Sequence, residues 1–280
     1  MKPSRPGDRR PDHRRTAAAR PATEGSQAPL PPIADRLILG QQCVREAIRV
    51  WGTAVRRVYV ERDPGPRVAA LKKFADDQAV SVETVSRASL DRLAGGSIHQ
   101  GVAADAPALR LVDWDELMKD PQLVAVALDG VVDPQNFGAV IRSAVGIGNA
   151  AIIWPESASA PLTPSTFRAS AGAIEHARLC RVRSLHGALS EAAMNGTTVL
   201  GLAPEADEVL GNRLPDGPII LVIGSEQKGM GRAVRKACTH LVRLHQSGLV
   251  QSLNASVAAG IALHQVISLR AQSAPPSSIQ

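Results

Sequence analysis

One polar segment near the middle of this chain combines residue types that bind and orient anions. Residues 129–144 read DGVVDPQNFGAVIRSA, in which Pro134 and Gly138 predict a sharp turn and Asn136 a cap for the helix that follows. Arg142 stands one helical turn beyond Gly138, so its guanidinium can project toward the end of the preceding strand. Taken alone, the segment is equally compatible with a capped turn that carries a surface arginine.

A second segment has the glycine content of a loop that binds a ligand. Residues 223–231 read IGSEQKGMG, and their three glycines allow the backbone to approach a ligand closely. Lys228 precedes Gly229, so the segment lacks the GxxxxGK[ST] pattern of a nucleoside-triphosphate P-loop. A flexible turn without a ligand is the alternative interpretation.

A third segment lies just before the last predicted helix. Residues 245–260 contain Ser252 and Asn254 at a helix N-terminus, where free amide donors and the helix dipole gather. Asn254 as an ordinary N-cap explains that residue equally well. Ser252 has no histidine or aspartate at the spacing of a catalytic triad, which argues against a hydrolase. Residues 146–151 match GxGxxA, but they follow a helix and precede a strand, the reverse of a dinucleotide-binding fingerprint.

The elements that must position these segments predict an α/β fold with a mostly parallel sheet. The run LVAVALD at residues 123–129 is continuously apolar, as is typical of a strand covered on both faces. Strands and helices then alternate up to a long helix from about Asn254 to Gln272. Ligands of such sheets bind beyond the carboxyl ends of the strands, so the three segments should meet there.

The chain divides into five parts by composition and pattern. We expect a small α/β unit over 34–106 and a larger α/β unit over 122–272, joined by a linker over 107–121. Residues 1–33 are rich in Pro, Arg and Ala and predict a disordered tail, and residues 273–280 a flexible C-terminus. The tail is either simply solvated or an electrostatic arm for nucleic acid.

The overall composition excludes several functional classes. Only seven of 280 residues are aromatic, which argues against RNA binding by a sheet of stacking aromatics. The formal net charge is +6, of which the tail carries +4, so the remainder of the chain is nearly neutral.

The cysteines and the hydropathy pattern indicate the cellular compartment in which the protein is expected. Cys43, Cys180 and Cys238 are far apart and form no CxxC pair, which argues against disulfides and a zinc site and favours a reducing cytoplasm. No apolar run reaches the roughly 18 residues that span a bilayer, and the N-terminus does not resemble a secretory signal. We therefore expect a cytoplasmic protein without membrane or metal partners.

Together the three segments resemble the signature motifs of the SpoU (TrmH) family of RNA ribose 2′-O-methyltransferases. They match N-x-G-x-x-x-R, G-[SA]-E-x-x-G and S-L-N-x-S-V-A in the same order and with similar spacing. The first unit, through Gly40, Val44, Glu46-Ala47 and His99-Gln100-Gly101, resembles the ribosomal-protein-like RNA-binding domain of longer members.

The resemblance implies more than the pattern alone could. The family, part of the SPOUT superfamily, has an α/β sheet whose C-terminal part is threaded into a trefoil knot, an exception to the rule against knots. S-adenosylmethionine lies in that knot, and the enzyme is a homodimer with its site at the subunit interface. The implied substrate is 23S ribosomal RNA. Transfer RNA is the alternative substrate, and a non-catalytic RNA-binding protein that keeps the fold is the alternative class.

The resemblance also assigns site residues. The implied cofactor-binding residues are Leu202, Ile223, Gly224, Gly229, Leu244 and Leu253. The implied catalytic residues are Asn136, Arg142, Glu226, Ser252 and Asn254. A guanidinium is not deprotonated in proteins, so we expect Arg142 to bind the adjoining phosphate and stabilise the developing alkoxide, with Asn136 orienting it. One departure is Leu244-His245-Gln246, where the family usually has Ile-Pro-Met.

An apolar stripe on the last helix predicts the dimer contact. Its members include several small residues, which let two helices approach closely: Val257, Ala258, Ile261, Ala262, Val266 and Leu269. The alternative is that this stripe packs only on the chain's own sheet.

Overall fold

The computed structural model describes residues 36–157, 159, 162–211, 214–249 and 253–273. Within these residues the chain forms two α/β units, each built on its own sheet. The predicted tail over 1–33 and Ser252 lie outside the described residues, as do residues 274–280.

The first unit has a four-stranded mixed sheet in the order β1-β4-β2-β3. Its strands are β1 (Arg36–Leu39), β2 (Arg57–Glu61), β3 (Val82–Val85) and β4 (Val102–Ala106). Strand β4 is antiparallel to β1 and β2, whereas β2 and β3 are parallel. Its helices are α1 (Gln41–Trp51), α2 (Pro66–Asp77) and α3 (Arg87–Ala94). The first two helices pack on one face of this sheet and α3 packs on the other.

The second unit has seven strands, and all of its strand pairs are parallel. The strands are β5 (Val124–Asp129), β6 (Ala151–Pro155), β7 (Leu179–Val182), β8 (Thr198–Leu202), β9 (Glu208–Val209), β10 (Ile219–Gly224) and β11 (His240–Arg243). Their order is β7-β6-β5-β10-β8-β11-β9. The predicted α/β fold with a mostly parallel sheet is therefore confirmed. The trefoil knot that the resemblance implies stays a prediction.

Helices cover both faces of the larger sheet. They are α4 (Trp114–Leu117), α5 (Pro134–Gly148), α6 (Pro164–Ala169), α7 (Leu185–Met194), α8 (Arg232–Ala237) and α9 (Ala255–Ser273). One apolar core joins α5, α6 and α9 to the sheet, and a second joins α4, α7 and α8 to its other face. Because both faces are buried, β5 and β10 are apolar along almost their whole length, as the sequence predicted.

The beginning of α5 differs from the prediction. Asp133, not Asn136, is the N-cap, and its carboxylate accepts a hydrogen bond from the backbone N–H of Gln135 at 3.0 Å. Pro134 occupies the first helical turn, where its missing N–H costs nothing. Gly138 lies inside the helix, not in a sharp turn. A Cβ there would stand 2.5 Å from the backbone oxygen of Thr166, so this glycine allows α6 to pack closely.

The apolar stripe on α9 is divided between two environments. Ala262 and Val266 are buried in the chain's own core, so the alternative interpretation is correct for them. Val257 and Ile261 are 48% and 46% exposed. The predicted dimer contact is therefore reduced to the outer side of the helix.

A buried ion pair joins the two units. Arg36 of β1 donates two hydrogen bonds to the carboxylate of Glu175, at 2.8 and 2.6 Å, and the indole N–H of Trp51 donates a third at 2.7 Å. The side chains of Arg36 and Glu175 are only 5% and 1% exposed. A second contact lies beside it, where His176 meets Glu46 at 3.0 Å. These charges fix how the first unit sits on the second.

Candidate active site

A cavity of about 320 Å³ lies at the carboxyl ends of three adjacent strands, β10, β8 and β11. This is the position at which open parallel sheets bind ligands, and the volume falls in the range of small-molecule sites. The structure places all six predicted cofactor-binding residues in its lining: Leu202, Ile223, Gly224, Gly229, Leu244 and Leu253.

The cavity has apolar walls and a charged rim. Ile223 and Leu244 are buried and supply apolar surface. On the rim, Arg235 forms an ion pair with Glu205. Hydrogen bonds from its own backbone and from Arg235 hold the pKa of the Glu205 carboxyl below its usual range. Gln246 also lines the cavity, so the Leu-His-Gln segment reaches the site without the usual proline.

The glycine-rich loop after β10 is closed by hydrogen bonds between its ends. The backbone N–H of Ser225 donates to the oxygen of Gly229 at 3.1 Å, and the reverse bond measures 2.8 Å. A Cβ on Gly224 would come within 2.3 Å of the Gly229 backbone, so only glycine fits there. Asp129, at the end of β5, accepts a hydrogen bond from the Gly231 N–H at 2.6 Å. Sequence reasoning gave Asp129 no role, because its partner lies 102 residues away.

The carboxylate of Glu226 connects all three sequence segments. One of its oxygens accepts hydrogen bonds from the side-chain amide of Asn136 at 2.9 Å and from the backbone N–H of Ala255 at 3.2 Å. The same oxygen accepts a hydrogen bond from the side-chain amide of Asn254. Three of the five residues of the predicted constellation, Asn136, Glu226 and Asn254, therefore meet at a single atom beside the cavity.

Asn254 both caps α9 and belongs to the polar cluster around Glu226. Its side-chain oxygen caps α9 by accepting from the backbone N–H of Ser256 at 3.0 Å and of Val257 at 3.3 Å. Its amide nitrogen faces the other way and donates to the Asn136 oxygen at 2.8 Å. The helix N-terminus and the polar cluster are thus held by one side chain.

Arg142 is not part of this cluster. It is exposed in the interior of α5 and makes no hydrogen bond or ion pair with any residue that the structure describes. It lies six positions after Asn136 in the helix, a rise of about 9 Å. No hydrogen bond joins Asn136 to Arg142 within the described chain, where the Asn136 amide is engaged by Glu226 and Asn254. That Asn136 orients Arg142 stays a prediction. Ser252 cannot be placed, since it lies outside the described residues.

The cysteines are unsuited to chemistry at this site. Burial raises the pKa of the Cys43 and Cys238 thiols to about 11 and that of Cys180 to about 12. They stay protonated at neutral pH and are neither good nucleophiles nor good ligands. Among the described residues, no group of three or more His, Cys, Asp or Glu side chains could hold a metal ion. No helix in the same part of the chain has both the length and the apolarity to cross a bilayer.

Comparison with known proteins identifies this architecture. Residues 123–264 match the SpoU rRNA Methylase family. The chain belongs to this family. Residues 37–112 match a second family, described as RNA 2′-O ribose methyltransferase substrate binding. The enzyme class is therefore confirmed: the chain is a SpoU-family RNA 2′-O-ribose methyltransferase, for which S-adenosylmethionine is the methyl donor.

Similar proteins extend over nearly the whole chain. A protein of Mycobacterium avium, named as an uncharacterized tRNA/rRNA methyltransferase, is 34% identical over 275 residues, which cover 94% of this chain and 86% of the relative. The SpoU methyltransferase AviRb from Streptomyces viridochromogenes has a similar structure, with a TM-score of 0.71 at 22% identity over 86% of this chain and 91% of that one. An AdoMet-bound rRNA methyltransferase from Sinorhizobium meliloti reaches 0.69 at 21% identity, over 86% and 89% of the two chains. At these identities the two structures support the fold alone.

Proposed function

We propose that this protein methylates a ribose 2′-hydroxyl of 23S ribosomal RNA, a substrate that places it in the cytoplasm. The observation that carries the proposal is the meeting of three distant segments at the Glu226 carboxylate, directly beside the strand-end cavity. The substrate-binding match of the first unit supports an RNA as the substrate.

The lining of the strand-end cavity supports binding of the donor there. Ile223, Leu244 and Leu253 offer apolar surface to an adenine ring, and the tight Gly224 turn exposes backbone rather than side chain to the ligand. Charged groups on the rim, such as Glu205 and Arg235, suit the polar end of an amino acid. S-adenosylmethionine supplies an electrophilic methyl group there and needs placement more than activation.

Arg142 would act on the acceptor rather than on the donor. The ribose hydroxyl loses its proton as it becomes an ether oxygen, so negative charge develops on that oxygen. A planar guanidinium can bind the adjoining phosphate through two hydrogen bonds and stabilise this charge, although it cannot take the proton itself. Because Arg142 is exposed and has no partner among the described residues, it is free to make these contacts.

Glu226, Asn136 and Asn254 would act as positioning residues. Their hydrogen bonds hold the first turns of α5 and α9 against the glycine-rich loop, and most of the rate in such a transfer comes from placement. The remaining member of the predicted constellation, Ser252, would join them from the adjoining segment.

A second copy of the chain would complete the site. Along α5, Arg142 lies more than one turn beyond the polar cluster. In the first turns of α9, Val257 and Ile261 are exposed. A helix that is apolar on its outer side as well as its inner side is expected to be covered on both. We therefore propose a homodimer in which Arg142 of one chain serves the donor site of the other.

Transfer RNA is a second candidate substrate, since the names of the relatives include both RNAs. The test is to incubate the protein with radiolabelled S-adenosylmethionine and either 23S ribosomal RNA from a strain that lacks the gene or bulk transfer RNA. The proposal expects label in the ribosomal RNA, at a single 2′-O-methyl site. Label confined to transfer RNA would make the second candidate correct.

The role of Arg142 is tested in the same assay. Arg142→Ala should abolish labelling and keep donor affinity within about threefold, because the side chain is proposed to contact only the acceptor. Arg142→Lys should also be poor, since a point charge replaces a planar fork. The control is Lys119→Ala, which removes an exposed positive charge that belongs neither to the cavity nor to the polar cluster. This variant should retain full activity.

A further inference from the structure

The glycine-rich loop that lines one wall of the strand-end cavity is fastened at both of its ends to one residue, Asp129. The first end, Gly224, is the strand partner of Asp129 where β10 pairs with β5. The second end, Gly231, donates its backbone N–H to the Asp129 carboxylate at 2.6 Å. Asp129 is not among the described residues that line the cavity. Its carboxylate therefore acts on the cavity only through this loop, here named the 224–231 loop.

The bond to Asp129 fixes the point at which α8 begins. Gly231 is the N-cap residue of that helix, and its backbone oxygen accepts a hydrogen bond from the Arg235 backbone N–H at 2.8 Å. Arg235 lines the cavity and forms an ion pair with Glu205, another lining residue. A displacement of Gly231 would therefore move the charged pair on the cavity rim.

Met230, the residue before Gly231, also lines the cavity and is packed against the sheet. A Cβ on Gly201 of β8 would come within 2.9 Å of the Met230 side-chain methyl. A Cβ on Gly224 would come within 2.3 Å of the Met230 backbone nitrogen. Because these contacts leave no space for movement toward the sheet, the loop can move only outward. The hydrogen bond between Asp129 and Gly231 opposes that movement.

This hydrogen bond is of a strong kind. A carboxylate that accepts from a backbone N–H makes a charge-assisted bond, which is about twice as strong as a bond between neutral groups. Asp129 is half-buried, so water screens the interaction only in part. Its loss should therefore be felt at the loop that it holds.

We propose that Asp129 is a positioning residue for methyl transfer, whose carboxylate holds the 224–231 loop at the spacing that binds the donor. It acts on donor affinity, whereas Glu226, which lies within the same loop, acts on the polar cluster. The inference rests on the proposed placement of the donor in the cavity, and it does not depend on which RNA is the substrate.

The test is a series of substitutions that separates the length of the side chain from its charge. Asp129→Asn keeps the length and an acceptor oxygen, Asp129→Glu keeps the charge but adds a methylene, and Asp129→Ala removes the acceptor. Asp120→Ala is the matched control. Its carboxylate also accepts from a backbone N–H, that of Gln122 at 3.0 Å, but it precedes β5 and does not line the cavity.

The affinity for S-adenosylmethionine is measured by calorimetry without RNA, and KM and kcat with the RNA that the wild type methylates. We expect Asp129→Ala and Asp129→Glu to weaken donor binding at least about tenfold, the effect of losing a hydrogen bond to a charged group. The loop loses its anchor in the first variant and is pushed outward by the extra methylene in the second.

Asp129→Asn should stay within about threefold of the wild-type donor affinity, because its amide oxygen accepts the same bond without the charge. KM for the donor should follow the affinity across the series, whereas kcat at saturating donor should change by less than about threefold, as for a loss of uniform binding. KM for RNA should stay at the wild-type value. Asp120→Ala should be less stable but keep the wild-type donor affinity.

Wild-type donor affinity in Asp129→Glu would overturn the proposal, even if Asp129→Ala does not fold. Equal weakening in Asp129→Asn and Asp129→Glu would overturn it as well, because side-chain length would then be irrelevant. The proposal is also wrong if Asp120→Ala weakens donor binding to the same extent, since a general loss of stability would explain both.

A separate variant tests the proposed placement of the donor. Ala258→Phe puts a ring into the cavity itself and should abolish donor binding. Donor binding that survives this substitution would contradict the placement. Donor binding that is lost in Ala258→Phe but unchanged in Asp129→Ala and Asp129→Glu would contradict only the role of Asp129.

Discussion

At the scale of single residues, the Glu226 carboxylate holds the three sequence segments of the site in position relative to one another. Its acceptor oxygen serves Asn136, Asn254 and the first N–H of α9 together. We expect Glu226→Ala to lower kcat about 100-fold, the effect of a displacement of about 1 Å at a reacting centre, while the fold is kept. Fixed-time methylation assays measure kcat, and circular dichroism measures whether the fold is kept.

The control for this prediction is Gln135→Ala, which removes the neighbouring amide in the same helical turn. Among the described residues, the Gln135 side chain bonds only to Ser165, outside the cluster. A Glu226→Ala enzyme with the wild-type kcat, or a Gln135→Ala enzyme equally impaired, would show that Glu226 is not a positioning residue.

The sequence predicted which side chains gather at the site better than how they are connected. Parallel strands end at one edge, so the segments that follow them had to converge. The resemblance to the family, not this geometry, singled out Leu244, Leu253 and Ile223, which line one cavity. Their role toward the donor stays a proposal. The connections depend on contacts between distant segments, so the pairing of Asp129 with Gly231 left no local signal.

At the scale of elements, two glycines of α5 differ in what surrounds them: Gly138 faces the neighbouring helix closely, and Gly146 faces open space. A Cβ on Gly138 would stand 2.6 Å from the Ala169 side chain of α6, whereas a Cβ on Gly146 would meet nothing within 4 Å. Gly138→Ala should therefore lower the free energy of unfolding by about 1–3 kcal/mol through overpacking. Gly146→Ala should raise it by about 0.5–1 kcal/mol, since alanine favours the helix.

Urea denaturation of the two variants measures this difference on one helix. Because both substitutions add the same methyl group, helix propensity cancels between them and the packing contribution remains. Equal changes in stability would mean that α5 and α6 do not pack as closely as the structure places them.

Helices and strands with strong periodicity were predicted, and short or tertiary features were not. Helix α1 buries Val44, Ala47 and Ile48 on one face, the spacing of an amphipathic helix that the sequence displays. Strand β1 has four residues, too few to show a clear alternation of apolar and polar positions. The beginning of α5 was misplaced because Asp133 caps the helix one turn before Asn136.

At the scale of the whole molecule, the buried ion pair between Arg36 and Glu175 is one of the contacts that hold the two units together. Glu175→Ala would leave the Arg36 charge buried without its carboxylate, a change that costs about 3–5 kcal/mol. We expect unfolding of this variant to separate into two transitions, with faster proteolysis between the units. Glu83→Ala breaks the exposed pair with Arg57 and, as the control, should change stability by less than about 1 kcal/mol. A single transition at the wild-type position would contradict the assigned interface.

The exposed side of α9 is the surface at which the proposed homodimer would form. Ile261 is 46% exposed on a helix whose inner residues, Ala262 among them, are fully buried in the chain's own core. A charge at position 262 would unfold the chain and test nothing about the dimer, whereas Ile261→Arg places the charge where a second copy would pack. Met194→Arg alters another apolar side chain, 80% exposed at the end of α7, and is the control.

Sedimentation velocity at micromolar concentration measures whether the protein is a dimer, and the methylation assay measures whether activity requires the dimer. We expect a dimer for the wild type and for Met194→Arg, and a folded monomer without activity for Ile261→Arg, because Arg142 would then lack a donor site to serve. Donor binding should persist in that monomer, since the cavity is lined by residues of one chain. Mixing the Ile261→Arg monomer with Arg142→Ala chains should not restore activity if the interface is lost. A wild type that is monomeric and fully active would refute the proposed dimer and require Arg142 to reach the site within its own chain.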